Sequence, residues 1–208
     1  MSTRRLLTAA LLTTLAASAW AQNNELAGVA GRTFIADQGI IGATFPNPTV
    51  HFGNGFIMEG SYGRQLTPAG LIQLTLEVPV QFNVDEDLGS GTNAIPEGYL
   101  SIFITPSARV NFFANTRVSP WLSGGGGYGR FAESSNALYY GPNTGPRGTN
   151  AGVIQFGGGL DVRVWPKFSI RGEFRDFWSG TPQLNVDTGK SHQHNLSVGA
   201  GVVWHFGK

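Results

Sequence analysis

Several segments of this chain alternate apolar and polar side chains with period two, and the polar face of some carries charges in a row. Phe168–Trp178 shows the pattern: Phe168, Ile170, Gly172, Phe174 and Trp178 are apolar or small, while Ser169, Arg171, Glu173 and Arg175 are polar. An extended strand sends successive side chains to opposite faces. Such a chain makes sheets with one greasy face and one charged face. What remains is to decide which face turns inward.

The spacing of the segments narrows the choice. Strand-like runs cover about 25–36, 56–66, 71–82, 100–113, 120–131, 153–165, 168–178 and 195–206. Short connections ("TPAG", "ANTRVS", "PK") alternate strictly with long ones at about 37–55, 83–99, 132–152 and 179–194. The long ones are rich in Gly, Asn, Pro, Ser and Thr, the residues of turns and loops. An even number of strands, with short turns at one end and long loops at the other, predicts an all-β, eight-stranded, antiparallel up-and-down transmembrane barrel.

Such a barrel has a polar interior and an apolar, lipid-facing exterior. On the polar faces lie Glu59, Glu77, Asp161 and Glu173, and against them Arg109, Arg163, Arg171 and Arg175. Four acids meet four bases, the balance expected of an interior charge network, because an unpaired buried charge costs several kcal/mol. Inward Gly157, Gly159, Gly199 and Gly201 would leave room for the arginines. The faces of the glycine-heavy first and fifth strands are left unassigned.

A soluble barrel with a wet outer wall would carry lysines on its strands. Here the lysines are Lys167, Lys190 and Lys208, all in predicted turns, loops or the tail. Aromatic residues gather at both ends of the strands. Phe112, Phe113, Trp121, Trp165, Phe168, Trp204 and Phe206 lie near the short turns, and Phe56, Phe82, Tyr99, Phe131 and Trp178 near the long loops. Two belts match the two interfaces of a bilayer.

The first residues read as an export signal. Arg4 and Arg5 precede an apolar run from Leu6 to Ala17, and Ala19 and Ala21 occupy the small-residue positions before a cut. Residues 1–21 are expected to be a cleavable signal peptide and 22–208 the barrel domain, with no further C-terminal domain. Without Arg4 and Arg5 the chain holds 12 basic against 13 acidic residues, which excludes the basic excess a nucleic-acid partner requires. There are no cysteines, so packing and backbone pairing must hold an exported chain together.

The sequence resembles the small outer-membrane β-barrels of the OmpA/OmpX-like superfamily. The likeness is carried by "PWLSGGGGYGRF", "FGGGLDVRVWPKFSIRGEFRDFW" and the terminal strand "SVGAGVVWHF". Gly201, Trp204 and Phe206 match the Gly-x-x-aromatic-x-aromatic signal that the barrel assembly machinery reads in this family. The resemblance implies residence in the bacterial outer membrane, with lipids and lipopolysaccharide as neighbours and a possible extracellular ligand at the loops.

No catalytic residues and no cofactor are expected. His192 and His194, on one face of the last strand with Asp187 nearby, are a weak metal candidate. No His-x-Ser or Ser-x-His pair occurs that would place a base and a nucleophile on one wall. "GGGG" at 124–127 is followed by no Lys-Ser/Thr and is not a phosphate loop. The expectation is a non-enzymatic structural or surface-interaction role. A narrow pore and a lipid-modifying enzyme remain the alternatives.

Overall fold

The computed structural model describes residues 24–44, 46–91, 94–134 and 145–207. The expected signal peptide and the Tyr139–Tyr140 pair of the third long loop lie outside the described residues.

Eleven strands form: β1 (Asn24–Phe34), β2 (Gln38–Gly39), β3 (Thr49–Phe52), β4 (Phe56–Gln65), β5 (Ile72–Gly89), β6 (Gly98–Ile104), β7 (Ser107–Phe112), β8 (Val118–Glu133), β9 (Gly148–Trp165), β10 (Phe168–Gly180) and β11 (His192–Phe206). β6 and β7 are one stave interrupted at Thr105–Pro106. The staves pair antiparallel around a ring in the order β1, β4, β5, β6/β7, β8, β9, β10, β11. β11 closes the ring on β1, from Asn24 opposite Phe206 to Phe34 opposite Leu196. Closure leaves no edge among the eight staves, which a spanning sheet requires because hydrocarbon offers no partner to a free N–H or C=O.

The break in β6/β7 explains the glycine run. Proline has no N–H to donate to a ladder. Across from Pro106, the Gly126 N–H reaches the Pro106 carbonyl at 3.2 Å. A side chain at Gly125 or Gly127 would strike the backbone of residues 104–107. The glycines let two staves touch where one is kinked.

Two long connections prove shorter than the composition suggests. β5 and β9 each run 18 residues, well beyond the roughly 9–11 that cross a bilayer. Their ends stand above the membrane as a sheet extension. β3 of the first long loop pairs with that extension, His51 opposite Gly89 and Phe52 opposite Leu88, and β2 pairs with β3. Polar, glycine-containing segments hide such strands from a pattern reading, yet pairing still satisfies their backbone groups.

Candidate functional site

The inward faces build two layers of different chemistry. Toward the short turns lies a chain of alternating charges. Arg171 grips Asp161 with two parallel hydrogen bonds, Nε–Oδ1 and Nη2–Oδ2, both 2.8 Å. Its Nη2 also lies 3.3 Å from Glu25 Oε1. Glu25 accepts a second guanidinium, that of Arg109. Arg109 Nη1 then donates to Glu77 Oε2 at 3.0 Å, and Glu77 Oε1 accepts from Arg175 Nη1 at 2.9 Å. Arg175 closes the chain on Glu173 at 3.3 Å and Glu59 at 3.2 Å. All three guanidiniums are fully buried.

Trp121 sits among them, 1% exposed, its ring centroid 5.6, 5.1 and 5.1 Å from Arg109, Arg171 and Arg175. The electron-rich indole attracts the three guanidiniums packed against it and adds to their pairing with carboxylates. Gly159 lies against this ring and Gly157 beside Arg175, where a side chain would collide with them.

The membership differs from the expected four-against-four set. Glu25 of the unassigned first strand joins, and Arg163 does not. Arg163 is exposed at the short-turn mouth and donates to the Ala114 carbonyl at 3.1 Å. Five carboxylates therefore meet three arginines. Glu59 is the least satisfied of them: among the described residues neither of its oxygens has an aligned hydrogen bond. Gly199 and Gly201 also do something other than make room for arginine. A side chain at either would strike β1, so they permit close approach at the closing seam.

Toward the long loops the filling turns apolar. Ile35, Tyr99, Phe103, Phe131, Val153 and Phe177 form one buried cluster inside the wall. Phe103 and Phe177 stack at 5.0 Å and 12° across the lumen, and Phe131 meets Phe103 edge-on at 5.7 Å and 79°. Above this plug the loops have a small core of their own, Val50, Ile95 and Leu184. Phe52 and Leu88 pack against both clusters and make them continuous. Hydrogen bonds tie the cap down. Glu133 Oε1 accepts from Gln183 N at 3.1 Å and from Thr149 Oγ1 at 3.2 Å, and Gln38 Nε2 donates to Gln193 Oε1 at 3.1 Å.

The outer wall is apolar between two belts, with corrections to their membership. Phe56, Phe82 and Trp178 face out at the loop end, and Phe113, Phe168 and Trp204 at the turn end. Tyr99, Phe131 and Trp121 point inward instead. Trp165, which shares the odd-numbered register of inward Asp161, faces out with 67% exposure. A bulge explains the reversal: Trp165 opposes Phe168 while Arg163 opposes Ser169, so Val164 is the extra residue.

Residues 7–206 match the family described as the outer membrane protein beta-barrel domain. This chain belongs to that family. Solved structures of similar shape include Neisserial surface protein A (15% identity, 89% of this chain and 97% of that one, TM-score 0.50) and the outer membrane protein OprG from Pseudomonas aeruginosa (9% identity, 90% and 97%, TM-score 0.55). The outer membrane enzyme PagL also matches, with 12% identity over 85% and 97% and a TM-score of 0.44. No curated protein matches the sequence.

On this family's barrel the two candidate histidines stand on the outside at the loop end. His194 Nδ1 lies 2.7 Å from Asp176 Oδ2, and the His192 ring stacks on Trp178 at 4.6 Å. They engage different partners, Asp187 is bonded within its own loop to Gly189 N, and among the described residues no three ligating side chains converge on a metal site. In the terminal motif Trp204 faces out and stacks on Phe206 at 4.8 Å. A vestibule of about 440 Å³ opens at the short-turn mouth, lined by Gln65, Gln73, Asn111, Arg117, Asp161 and Arg163 among others. The aromatic plug was the feature the pattern missed. Its sequence signal was Phe103 and Phe177, each standing in the polar register of an alternating strand.

Proposed function

We propose that this outer-membrane barrel is sealed and non-catalytic, with a structural role in the membrane and a surface-interaction role at its loops. In this reading the short turns and both chain ends face the periplasm, lipids and lipopolysaccharide coat the wall, and the assembly machinery reads Gly201, Trp204 and Phe206. Residues 1–21 would direct export and then be cleaved.

The observation that carries the reading is the stacked Phe103–Phe177 pair lying over a layer of paired charges. An eight-stranded lumen is just wide enough to be filled by side chains, and here it is filled twice. A narrow pore would need both layers to part. The cap built from the first, second and fourth loops supplies a preorganised outer surface, which favours contact with a partner over passage of a solute.

Planar-bilayer recording tests the seal: the folded chain is expected to give no conductance steps, and steady steps from the unaltered chain would return the pore to first place. Cells expressing the chain are expected to keep unmodified lipid A. Modified lipid A that reverts on His194→Ala would establish the enzyme, with the His194–Asp176 pair as its base.

A further inference from the structure

The bulge at Val164 does more than turn Trp165 outward. Val164 and Trp165 both line one groove on the outer wall, with Phe168, Ile170 and Val202 completing it. The groove measures about 820 Å³ and its walls are apolar. It lies at the short-turn end, in the belt formed by Phe168 and Trp204. Lys167 stands at its rim, in the two-residue turn between β9 and β10. Its side chain is exposed, and among the described residues no carboxylate forms an ion pair with it.

Each part has a physical consequence. A bulge costs ladder pairing and is kept where it re-aims a side chain. Here it swings an indole away from the wall and leaves a trough behind it. Tryptophan settles at the level of lipid glycerol and headgroups, where its ring is apolar and its N–H can donate. An unpaired ammonium just beyond such a ring sits where phosphates lie, and it attracts anionic headgroups.

We propose that this groove seats one glycerophospholipid of the periplasmic leaflet and prefers an anionic headgroup. An acyl chain lies over Val164, Ile170 and Val202, Trp165 flanks the glycerol, and Lys167 holds the phosphate. This rests on the periplasmic orientation of the short turns and not on any role of the loops. Lipopolysaccharide is excluded as the occupant by that orientation, since the groove opens into the opposite leaflet.

Native mass spectrometry of the folded full chain with equal phosphatidylglycerol and phosphatidylethanolamine tests it. One phosphatidylglycerol is expected to be retained in preference. Lys167→Gln, a change in an exposed turn, should lower the ratio of the two lipids about fivefold, the worth of one basic residue at a membrane surface. Trp165→Ala should reduce retention of both lipids, while Phe156→Ala, elsewhere on the wall, should change neither. An unchanged lipid ratio in the Lys167 variant together with unchanged lipid retention in the Trp165 variant would mean ordinary annular lipid and overturn the proposal. Displacement of phosphatidylglycerol by added lipid A would overturn the leaflet assignment. Failure of the chain to show heat-modifiable mobility in bilayers would instead sink the barrel placement itself, a separate result.

Discussion

The two halves of the barrel interior solve the same problem by opposite means. The half nearer the short turns holds three arginines and five carboxylates around one indole, and the half nearer the loops holds stacked phenylalanines. Both exclude water, but they differ in what a substitution does. In the charged half the energy lies in pairing, so removing one partner strands the others in a dry place. In the aromatic half it lies in filled volume, so cost follows the atoms removed.

The sharpest contrast comes from replacements that keep size and change chemistry. Arg175→Met keeps most of the side chain's length but leaves Glu59, Glu77 and Glu173 without its charge. It is expected to lower unfolding free energy in lipid vesicles by about 3–5 kcal/mol. A loss below about 1 kcal/mol would show that the pairs in this half matter no more than packing does.

At the boundary between plug and cap, Glu133→Ala removes the acceptor for Gln183 N and Thr149. Amides of residues 181–186 should then exchange faster, by about 1.5–3 kcal/mol of local stability, with heat-modifiable mobility retained. Unchanged exchange would mean that the loop core of Val50, Ile95 and Leu184 holds the cap without this tether.

Phe177→Leu is the matching change in the aromatic half and should cost less than about 1.5 kcal/mol, because it stays apolar and removes little volume. A cost as large as that of Arg175→Met would erase the distinction between the halves.

The smallest effect belongs to the first loop. Asp37 Oδ2 lies 2.6 Å from His51 Nδ1 and its Oδ1 accepts from Phe52 N, and the bond from His51 holds the Asp37 carboxyl below the usual carboxylate range. A lowered carboxyl pKa stabilises the fold above the ordinary carboxylate range, and that contribution disappears as pH falls through the lowered value. Both side chains are about half exposed, so the tether is worth no more than about 1 kcal/mol. Asp37→Asn should abolish the acid-induced loosening of residues 49–52 in hydrogen exchange and leave the melting temperature unmoved.

The barrel was legible because strand alternation and turn spacing are local properties, and all eight staves follow from them. The side of each charge followed too, where one strand carried several, as in β10. What escaped depends on what lies across the lumen. Phe103 and Phe177 look like lapses in a polar register until the closed ring brings them to 5.0 Å. Glu25 stands among glycines and alanines too small to mark a face, and only its reach to Arg109 and Arg171 shows its role. Trp165 obeys the count of two and still faces out, because a bulge shifts the register by one without leaving any trace in the residue pattern.

Native tryptophans report most directly on this inside-out, doubly filled barrel. In single-tryptophan versions made by Trp→Phe changes, folded into vesicles, bromine-labelled lipid should quench Trp204 and Trp165. Trp121 should resist both the brominated lipid and an aqueous quencher added from either side. Quenching of Trp121 by lipid would invert the wall, and quenching by the aqueous agent would open the lumen.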